Sequence, residues 1–561
     1  MKNLKNNNKE YLSIEEYDSH FSYQTKKTNL NISFNRVAFI FFVFVIISII
    51  FSTKAIFLGS LKKKITNKSL IESEFRSSIL DKKGNIIAKT VVTHNVGIDP
   101  KLVIDKKKLL INLQLIFPEK KNPEFKKIKE KLNGKRFFYI QKQITQDQLD
   151  ELILLGDKSI IPEQKISRIY PHENLFSHII GQIDDDNNGI SGIEKKFDFH
   201  LRTSKEALNL TLDTELQYLI RKQLINFQKI FNNIGSASIL MNVNTGEILS
   251  MVSLPDFDLN KRQKITDSLF INRATKGVYE LGSVFKTFTF AAGLNEGVIT
   301  STTKFENLEK KIRCGKHTIG EYDEKIPNNL TAEEILIRSG NIGSVRIGQK
   351  LGVEKLKNFL FSIGVLNQIE FDIDEVGKPI PFNWGKCKLA TTSFGHGITT
   401  TPLQLAKGYS ILSNGGFEVN PTLVKKKEYI KNKKILKKEV SNEVNLILRK
   451  IVSTKEGTAG FANIPGYQVG GKTGTADKNL DGVYTNEKVN TFVAVFPTSK
   501  PKFALTVLLD EPKPNKEYTY FFKDGSGWKY KGNWRNTAGW TSVEVAGKII
   551  ENIGPILATK Y

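Results

Sequence analysis

The chain has 561 residues, which is long enough for more than one domain, and carries a formal net charge of +25 from 83 basic and 58 acidic residues. Its lysines are spread along the chain and are not gathered in a basic arm, which argues against nucleic-acid binding. The charge indicates either a bias in residue usage or weak attraction to anionic lipid headgroups or cell-wall polymers.

The N-terminal segment predicts a disordered tail over residues 1–36 and a membrane helix over residues 37–58. Residues 37–53 are uncharged and strongly apolar. This run is slightly short for a full span, so we expect Lys54 to snorkel toward the headgroups. A cleaved signal peptide is the competing interpretation, but the 36 residues before the run and the missing small-x-small site favour a permanent anchor. Basic residues flank both sides and leave the orientation open.

Residues 59–205 predict a separate α+β domain without chemistry of its own. Short strand-like runs alternate with lysine-rich helical stretches, such as residues 122–132. No constellation of reactive side chains is present, which is typical of a spacer or interaction domain.

Residues 206–561 predict a second domain, of the α/β (α+β) class. A helix is expected to begin near Asp213, followed by a hairpin of residues 236–243 and 247–252 around a turn at 244–246. After a helical middle we expect strands at 468–475, 491–496 and 503–509 and a closing helix at 542–553. The predicted fold is an antiparallel sheet flanked by helices, with the site between sheet and helical lobe.

Ser283 and Lys286, three residues apart, form the most informative motif. Gly282 ends an irregular approach, and the apolar run from Phe285 to Leu294 predicts a buried helix with both side chains on one face. Unpaired N–H groups at a helix start stabilise an oxyanion, and a buried lysine has the lowered pKa that a general base needs. The motif indicates a serine nucleophile activated without histidine, although Ser-x-x-Lys also occurs by chance.

A second motif, Ser339-Gly340-Asn341, follows Ser283 by 56 residues. It predicts a short loop entering a helix, from which a hydroxyl and an amide can project into a cleft. The hydroxyl could relay a proton and the amide could orient a substrate amide.

A third motif, Lys472-Thr473-Gly474-Thr475, lies 133 residues beyond Ser339 in a strand-like run. Alternation places Thr473 and Thr475 on one face, while Lys472 reaches from the other. Hydroxyls and a cation suit a terminal carboxylate. Gly474 and two preceding glycines remove side chains where a ligand or a peptide strand could approach.

The complete set of three motifs appears once, in the order found in β-lactamases and penicillin-binding proteins. The chain resembles the class B penicillin-binding proteins, and most of all their division-specific branch, over most of its length. In that family's non-catalytic pedestal the resemblance includes Arg-Ser-Ser-Ile-Leu-Asp at 76–81, Tyr-Pro-His at 170–172, His-Ile-Ile-Gly at 178–181 and Gly-Ile-Glu-Lys-Lys-Phe-Asp at 192–198. In the catalytic part it includes residues 242–249, Asn-Arg-Ala at 272–274, Gly-His-Gly at 395–397, 401–405 and 465–471.

Five positions bear on this resemblance. Ser77 stands where glycine is common, Leu281 where proline is frequent and Gly340 where serine is usual, and none of these removes a reacting group. Asn341, where elongation-type relatives often carry aspartate, and Glu280 in place of proline favour the division branch.

The resemblance implies a penicillin-binding transpeptidase fold and acyl transfer through a covalent serine intermediate. Ser283 would attack the D-Ala-D-Ala amide of a stem peptide, with Lys286 as its general base. Ser339, linked to Lys286 and Lys472, would pass the proton to the leaving amine. N–H groups of Ser283 and Thr475 would form the oxyanion hole. The implied substrate-binding residues are Asn341, Thr473, Gly474 and Thr475.

The resemblance also implies ligands, partners and a location. The ligands would be peptidoglycan stem peptides, their lipid-linked precursor and β-lactams, and the partners a multi-pass glycosyltransferase and other division proteins. The anchor would cross the bacterial inner membrane once, with the catalytic domain on the periplasmic side. We expect no cofactor and no metal, since no cysteine and histidine spacing indicates one.

Several alternatives stay open at this point. A carboxypeptidase or β-lactamase would share the motifs and admit water, an elongation-type transpeptidase would differ only in its place in the cell, and a penicillin sensor or scaffold would be catalytically silent. Cys314 and Cys387 fit either one disulfide or two unpaired thiols.

Overall fold

The structure is a computed structural model, and it describes residues 29–60, 75–261, 267–315, 317–426, 428, 433–480, 482–522, 529–533 and 535–561. Two compact units are separated between residues 72 and 73.

Helix α1, Asn29–Ser60, is the described element of the first unit. Its stretch Arg36–Ile56 is long and apolar enough to cross a membrane. The prediction of a disordered tail up to residue 36 is wrong for residues 29–36, which are helical, because each residue added to an existing helix gains a hydrogen bond without a new nucleation step. Residues 1–28 of that predicted tail lie outside the described residues.

The first part of the second unit is built on a small sheet. Strand β2 pairs with β1, β3 and β4 in antiparallel fashion, and β1 pairs with β5 in parallel. The strands are β1 Ile79–Leu80, β2 Ile86–Ile98, β3 Phe138–Ile144, β4 Ile160–Ile169 and β5 Leu208–Asn209. The helices are α2 Lys106–Ile116, α3 Asn122–Leu132, α4 Gln146–Leu154, α5 Ser177–Ile180, α6 Gly192–Lys196 and α7 Asp198–Thr203. The predicted helix at 122–132 is confirmed.

Two hydrophobic cores divide this region. Side chains between Val96 and Ile160 form a core of their own around α2, α3 and α4. The base of the region, including Ile79, Ile87 and Leu201, is instead continuous with the large core of the C-terminal part. The segment predicted as a spacer domain therefore has a separate outer lobe and a base that packs on the second domain.

A buried ion network joins the motifs of this region. The Glu194 carboxylate, which has no exposed side-chain surface, lies 2.8 Å from both the Arg76 and the Arg168 guanidinium. Arg76 also contacts Asp198 at 2.6 Å, and the Tyr170 hydroxyl lies 3.3 Å from Glu194. Arg76 thus meets Glu194, which is 118 residues further along the chain, and the charges are paired and hydrogen-bonded, as buried charges must be.

A five-stranded antiparallel sheet in the order β14-β15-β16-β6-β7 forms the centre of the C-terminal part. Its strands are β6 Gly235–Asn242, β7 Ile248–Leu254, β14 Gly470–Leu480, β15 Val483–Phe496 and β16 Phe503–Asp510. Helices α8 Thr214–Phe231 and α17 Ser542–Lys560 pack on it as one pair, and α15 Pro402–Ser413 and α16 Lys438–Ser453 as another. The predicted hairpin, the helix capped by Asp213 and the flanked antiparallel sheet are confirmed.

A helical lobe packs beside the β14 end of this sheet. Its helices are α10 Phe285–Asn295, α11 Ala332–Ile337, α12 Asn341–Leu351, α13 Val353–Ser362 and α14 Lys386–Phe394. The short helix α9, Asp267–Phe270, lies elsewhere, where the Leu269 carbonyl contacts His178 and the Phe270 ring stacks on Phe257. Short antiparallel strand pairs connect the helices of the lobe: β8 Tyr279–Glu280 with β13 Thr399–Thr400, β9 Lys304–Phe305 with β12 Leu330–Thr331, and β10 Lys311–Cys314 with β11 His317–Gly320. Near the C-terminus, β17 Thr519–Phe521 pairs with β18 Lys529–Lys531.

A disulfide joins Cys314 at the end of β10 to Cys387 in α14. Of the two alternatives that the sequence left open, the structure therefore has the bonded one.

Candidate active site

Ser283 lies in a 3-10 turn, Gly282–Val284, that leads directly into α10. Gly282 has a φ of +64°, and a Cβ built on it would lie 2.5 Å from the Thr475 carbonyl oxygen, so a larger residue does not fit between turn and strand. Tyr409 is fully buried and donates a hydrogen bond of 2.8 Å to the Val284 carbonyl. The turn is thus fixed from the sheet side and from the core, and the Ser283 side chain remains partly exposed.

Lys286 is buried on α10, one turn after Ser283. Its Nζ donates to the Ser339 carbonyl, lies 3.2 Å from Ser339 Oγ and donates at 2.7 Å to Asn341 Oδ1. Burial lowers the pKa of Lys286 to about 7, and the carboxylate of Glu321 opposes part of that shift. A substantial fraction of this amine is therefore neutral at neutral pH, as a proton acceptor must be.

The second motif enters α12 as predicted. Ser339 has a φ of +58°, and Asn341 is the first residue of the helix. The N–H groups of Asn341 and Ile342 donate to the two carboxylate oxygens of Glu321, at 2.7 and 2.8 Å. Asn341 Nδ2 donates to the Gly320 carbonyl at 2.8 Å. Both ends of the Asn341 amide are thus engaged, and one N–H of Nδ2 remains for a ligand.

Lys472 is buried on β14, and its Nζ donates at 2.8 Å to Ser339 Oγ and at 3.1 Å to the Thr473 carbonyl. Burial, and then the charge of Lys286, hold the pKa of Lys472 well below its usual range. Ser339 Oγ therefore accepts from both amines, which uses its two lone pairs and directs its own hydrogen elsewhere. Such a hydroxyl is poised to donate a proton to a third group.

The rest of the third motif packs against the turn of Ser283. A Cβ on Gly474 would lie 2.1 Å from the Leu281 carbonyl oxygen, so only glycine allows this approach. Thr473 Oγ1 and Thr458 Oγ1 are 2.8 Å apart, and Thr475 Oγ1 accepts from the Ala538 N–H at 2.9 Å.

A cleft of ≈ 1420 Å³ opens over these residues. Five of the eight residues predicted for the site line it, namely Ser283, Ser339, Asn341, Thr473 and Thr475. Lys286 and Lys472 lie buried behind its floor, and Gly474 lies in β14 against the Leu281 carbonyl. Within the described part of the chain, the Ser283 hydroxyl has no side-chain hydrogen-bond partner, while both amines are directed to Ser339.

Sequence reasoning missed several residues of this site. Glu321, Tyr409 and Thr458 contact the motif residues but lie far from them in the chain, and no local pattern identifies them. His396 was noted only as part of a Gly-His-Gly motif. It lines the cleft, stacked on Tyr484 with ring centroids 4.8 Å apart.

Comparison with known families identifies the two regions. The model of the penicillin-binding protein transpeptidase domain matches residues 236–524, and that of the penicillin-binding protein dimerisation domain matches residues 72–224. The solved structure of penicillin-binding protein 3 from Mycobacterium tuberculosis, complexed with aztreonam, has the same fold, with a TM-score of 0.64 at 19% identity over 86% of this chain and 96% of that one.

Relatives across the whole chain narrow the assignment. The chain is 31% identical to the probable peptidoglycan D,D-transpeptidase FtsI of Caulobacter vibrioides, over 86% of this chain and 82% of the relative. It is 30% identical to the peptidoglycan D,D-transpeptidase FtsI of Buchnera aphidicola subsp. Baizongia pistaciae, over 84% and 88%. The chain belongs to the class B penicillin-binding proteins of the FtsI type.

Proposed function

We propose that this protein is a serine D,D-transpeptidase that crosslinks peptidoglycan stem peptides at the division septum and is acylated by β-lactams. The observation that carries the proposal is the meeting of Ser283, Lys286, Ser339 and Lys472 at one cleft, in a chain whose relatives are named FtsI. Each residue type there has a role that acyl transfer through a covalent intermediate requires.

In the first half-reaction the neutral amine of Lys286 takes the proton of Ser283, and Ser283 Oγ attacks the D-Ala-D-Ala carbonyl. The lowered pKa of Lys286 and its place one helical turn away on α10 support this assignment. Ser339 donates its hydroxyl proton to the leaving D-Ala amine and regains one from the lysines with which it shares hydrogen bonds. The amide C–N bond breaks and an acyl-serine ester forms.

Binding groups surround this reaction. Lys472, Thr473 and Thr475 hold the terminal carboxylate. Lys472 is buried and has no salt bridge among the described residues, so the charge of that carboxylate would stabilise its ammonium form. The N–H groups of Ser283 and Thr475 stabilise the oxyanion, a role supported by the close approach of turn and strand at Gly282. The N–H of the Asn341 side-chain amide that does not bind the Gly320 carbonyl orients the stem-peptide amide.

In the second half-reaction the amine of a neighbouring stem peptide attacks the ester and releases Ser283. Entry of water in place of that amine gives carboxypeptidase side activity. The lipid-linked precursor carries the stem peptides. A multi-pass glycosyltransferase partner polymerises this precursor, and other division proteins act beside it. Helix α1 anchors the protein in the bacterial inner membrane with the catalytic domain on the periplasmic side, and the disulfide supports an oxidising compartment.

The domain boundaries that we propose are 37–58 for the anchor, 59–205 for the non-catalytic pedestal and 206–561 for the transpeptidase domain; of residues 1–36 before the anchor, 29–36 belong to its helix. The two separate family matches and the separate outer core of the pedestal support two regions after the anchor, although the dimerisation match, 72–224, extends past residue 205 and the transpeptidase match begins at 236.

Labelling with a fluorescent penicillin tests the proposal. We expect the full chain in membranes to be labelled and the adduct to be stable on Ser283, and Ser283→Ala to lose the label while its melting temperature is unchanged. Rapid loss of the adduct would indicate a hydrolase. No labelling of the folded native chain would mean a catalytically silent scaffold and would refute the proposal.

A further inference from the structure

We propose that Glu321 is a positioning residue for acylation, which fixes the start of α12 and through Asn341 holds the Lys286 amine in place. This inference rests on the proposed function of the same cleft. Its structural basis is a chain of contacts: the Glu321 carboxylate accepts from the Asn341 and Ile342 N–H groups at 2.7 and 2.8 Å, and Asn341 Oδ1 accepts from Lys286 Nζ at 2.7 Å.

A carboxylate suits this position for two reasons. The first N–H groups of a helix have no partner within the helix, and both oxygens of Glu321 satisfy one of them each. A glutamine would offer one acceptor and would turn an N–H donor toward the other backbone N–H, so one of the two contacts is lost. Since Asn341 is the first residue of α12, any rotation of the helix start moves its side chain and the acceptor of Lys286 with it.

Glu321 is itself held rigidly. It follows β11 directly, and its N–H donates to the Lys310 carbonyl at 3.0 Å, beside the start of β10. The disulfide ties β10 through Cys314 to α14, which packs against α12. Gly320 contributes the second contact, because its carbonyl accepts from Asn341 Nδ2 at 2.8 Å. The hairpin of β10 and β11 therefore forms a covalently anchored support for the N-terminus of α12.

Electrostatics gives Glu321 an effect that a neutral cap would not have. In the part of the chain that the structure describes, the charged groups that act on Lys286 are Glu321 from the hairpin side and Lys472 from β14. The carboxylate favours the ammonium form of Lys286 against burial and the second amine. Loss of the Glu321 charge should therefore lower the pKa of Lys286, whereas loss of a purely structural cap should leave it unchanged.

The experiment compares three variants of the full chain in detergent with the native protein. Glu321→Gln removes the charge and one contact, Glu321→Asp keeps the charge and shortens the reach, and Glu309→Gln is the matched control, an exposed glutamate outside the cleft. The second-order rate constant of acylation by a fluorescent penicillin is measured from pH 5.5 to 9, with the melting temperature of each variant. The titration midpoint of the Lys286 side-chain nitrogen is read separately by ¹⁵N NMR.

For Glu321→Gln we expect the rate constant on the high-pH plateau of the profile to fall about tenfold, as for a modest loss of alignment. The acid limb, in which the rate constant falls as Lys286 is protonated, and the NMR midpoint should both move to lower pH. Glu321→Asp should lower the plateau but keep the limb near its native position, and Glu309→Gln should behave as native. A native plateau in Glu321→Gln, or a lower plateau with an unmoved limb and NMR midpoint, would overturn the proposal. If the native chain is not acylated at all, the proposed function fails, and the NMR midpoint alone then decides whether Glu321 acts on Lys286.

Discussion

The lowered pKa of Lys286 predicts how the rate of acylation depends on pH. With a pKa of about 7, half of this amine is neutral at pH 7 and about one eleventh is neutral at pH 6. If the neutral amine is the base that activates Ser283, the second-order rate constant should fall about fivefold between pH 7 and pH 6 and level off above pH 8. A lysine with its ordinary value of 10.5 would instead give a constant that rises tenfold per pH unit through pH 9.

The assay is acylation of the detergent-solubilised full chain by a fluorescent penicillin under pseudo-first-order conditions. The Ser283→Ala variant supplies the background at each pH, and the melting temperature confirms that the protein stays folded over the range. A rate constant that is independent of pH between 6 and 8, or one that keeps rising tenfold per unit up to pH 9, would refute the assignment of Lys286 as the base.

The same pKa has a consequence for stability. Between pH 7 and 10.5 an unfolded chain binds a proton on this lysine that the folded chain does not, so the free energy of unfolding should increase as pH rises through this window. For a shift of this size, the increase in the free energy of unfolding across the window is on the order of 5 kcal/mol, and none of it is present below pH 7. The site therefore lowers stability at neutral pH, where it is needed for catalysis.

Three further perturbations test other parts of the molecule. Gly474→Ala places a methyl group against the Leu281 carbonyl and should destabilise the fold by about 1–3 kcal/mol while slowing acylation strongly; a native rate constant would contradict the close approach. Replacing Cys314 and Cys387 by serine opens a loop of 73 residues and should lower the free energy of unfolding by about 4 kcal/mol in a denaturant titration, whereas an unchanged midpoint would argue against the bond. Glu194→Ala leaves two buried guanidinium groups unpaired and should destabilise the base of the pedestal by about 3–5 kcal/mol, measured by thermal melting; a loss below 1 kcal/mol would show that water reaches the site.

The two amines of the site share one hydroxyl, and this arrangement is central to the proposed chemistry. Ser339 Oγ accepts from Lys286 at 3.2 Å and from Lys472 at 2.8 Å, so the protonation of one amine is felt by the other. A substrate carboxylate near Lys472 would favour its ammonium form and thereby the neutral form of Lys286. Binding of the correct substrate would then prepare the base, whereas a ligand without a carboxylate would not.

Much of the local structure could be predicted from the sequence because its causes are local. The helix start at Asp213 follows from a capping side chain, and the hairpin around residues 244–246 from its turn residues. The tail was mispredicted over residues 29–36, because composition describes what a segment can bury and takes no account of a helix that already begins beside it. The disulfide stayed open in the sequence, since pairing depends on the distance between Cα atoms, here 5.4 Å, and not on spacing along the chain.

Residue type and periodicity in the sequence placed Ser283 and Lys286 at one helix start and Lys472 and Thr473 on a strand. The roles of these groups followed from the family that the three motifs resemble. The tertiary structure decided that Lys286 and Lys472, which are 53 and 133 residues from Ser339, both come within hydrogen-bond distance of its hydroxyl. It also decided that Glu321 supports this arrangement and that the amines are buried enough for their pKa values to fall. The reason is physical: desolvation and charge act through space, so the basicity of a lysine depends on the neighbours that the fold brings to it.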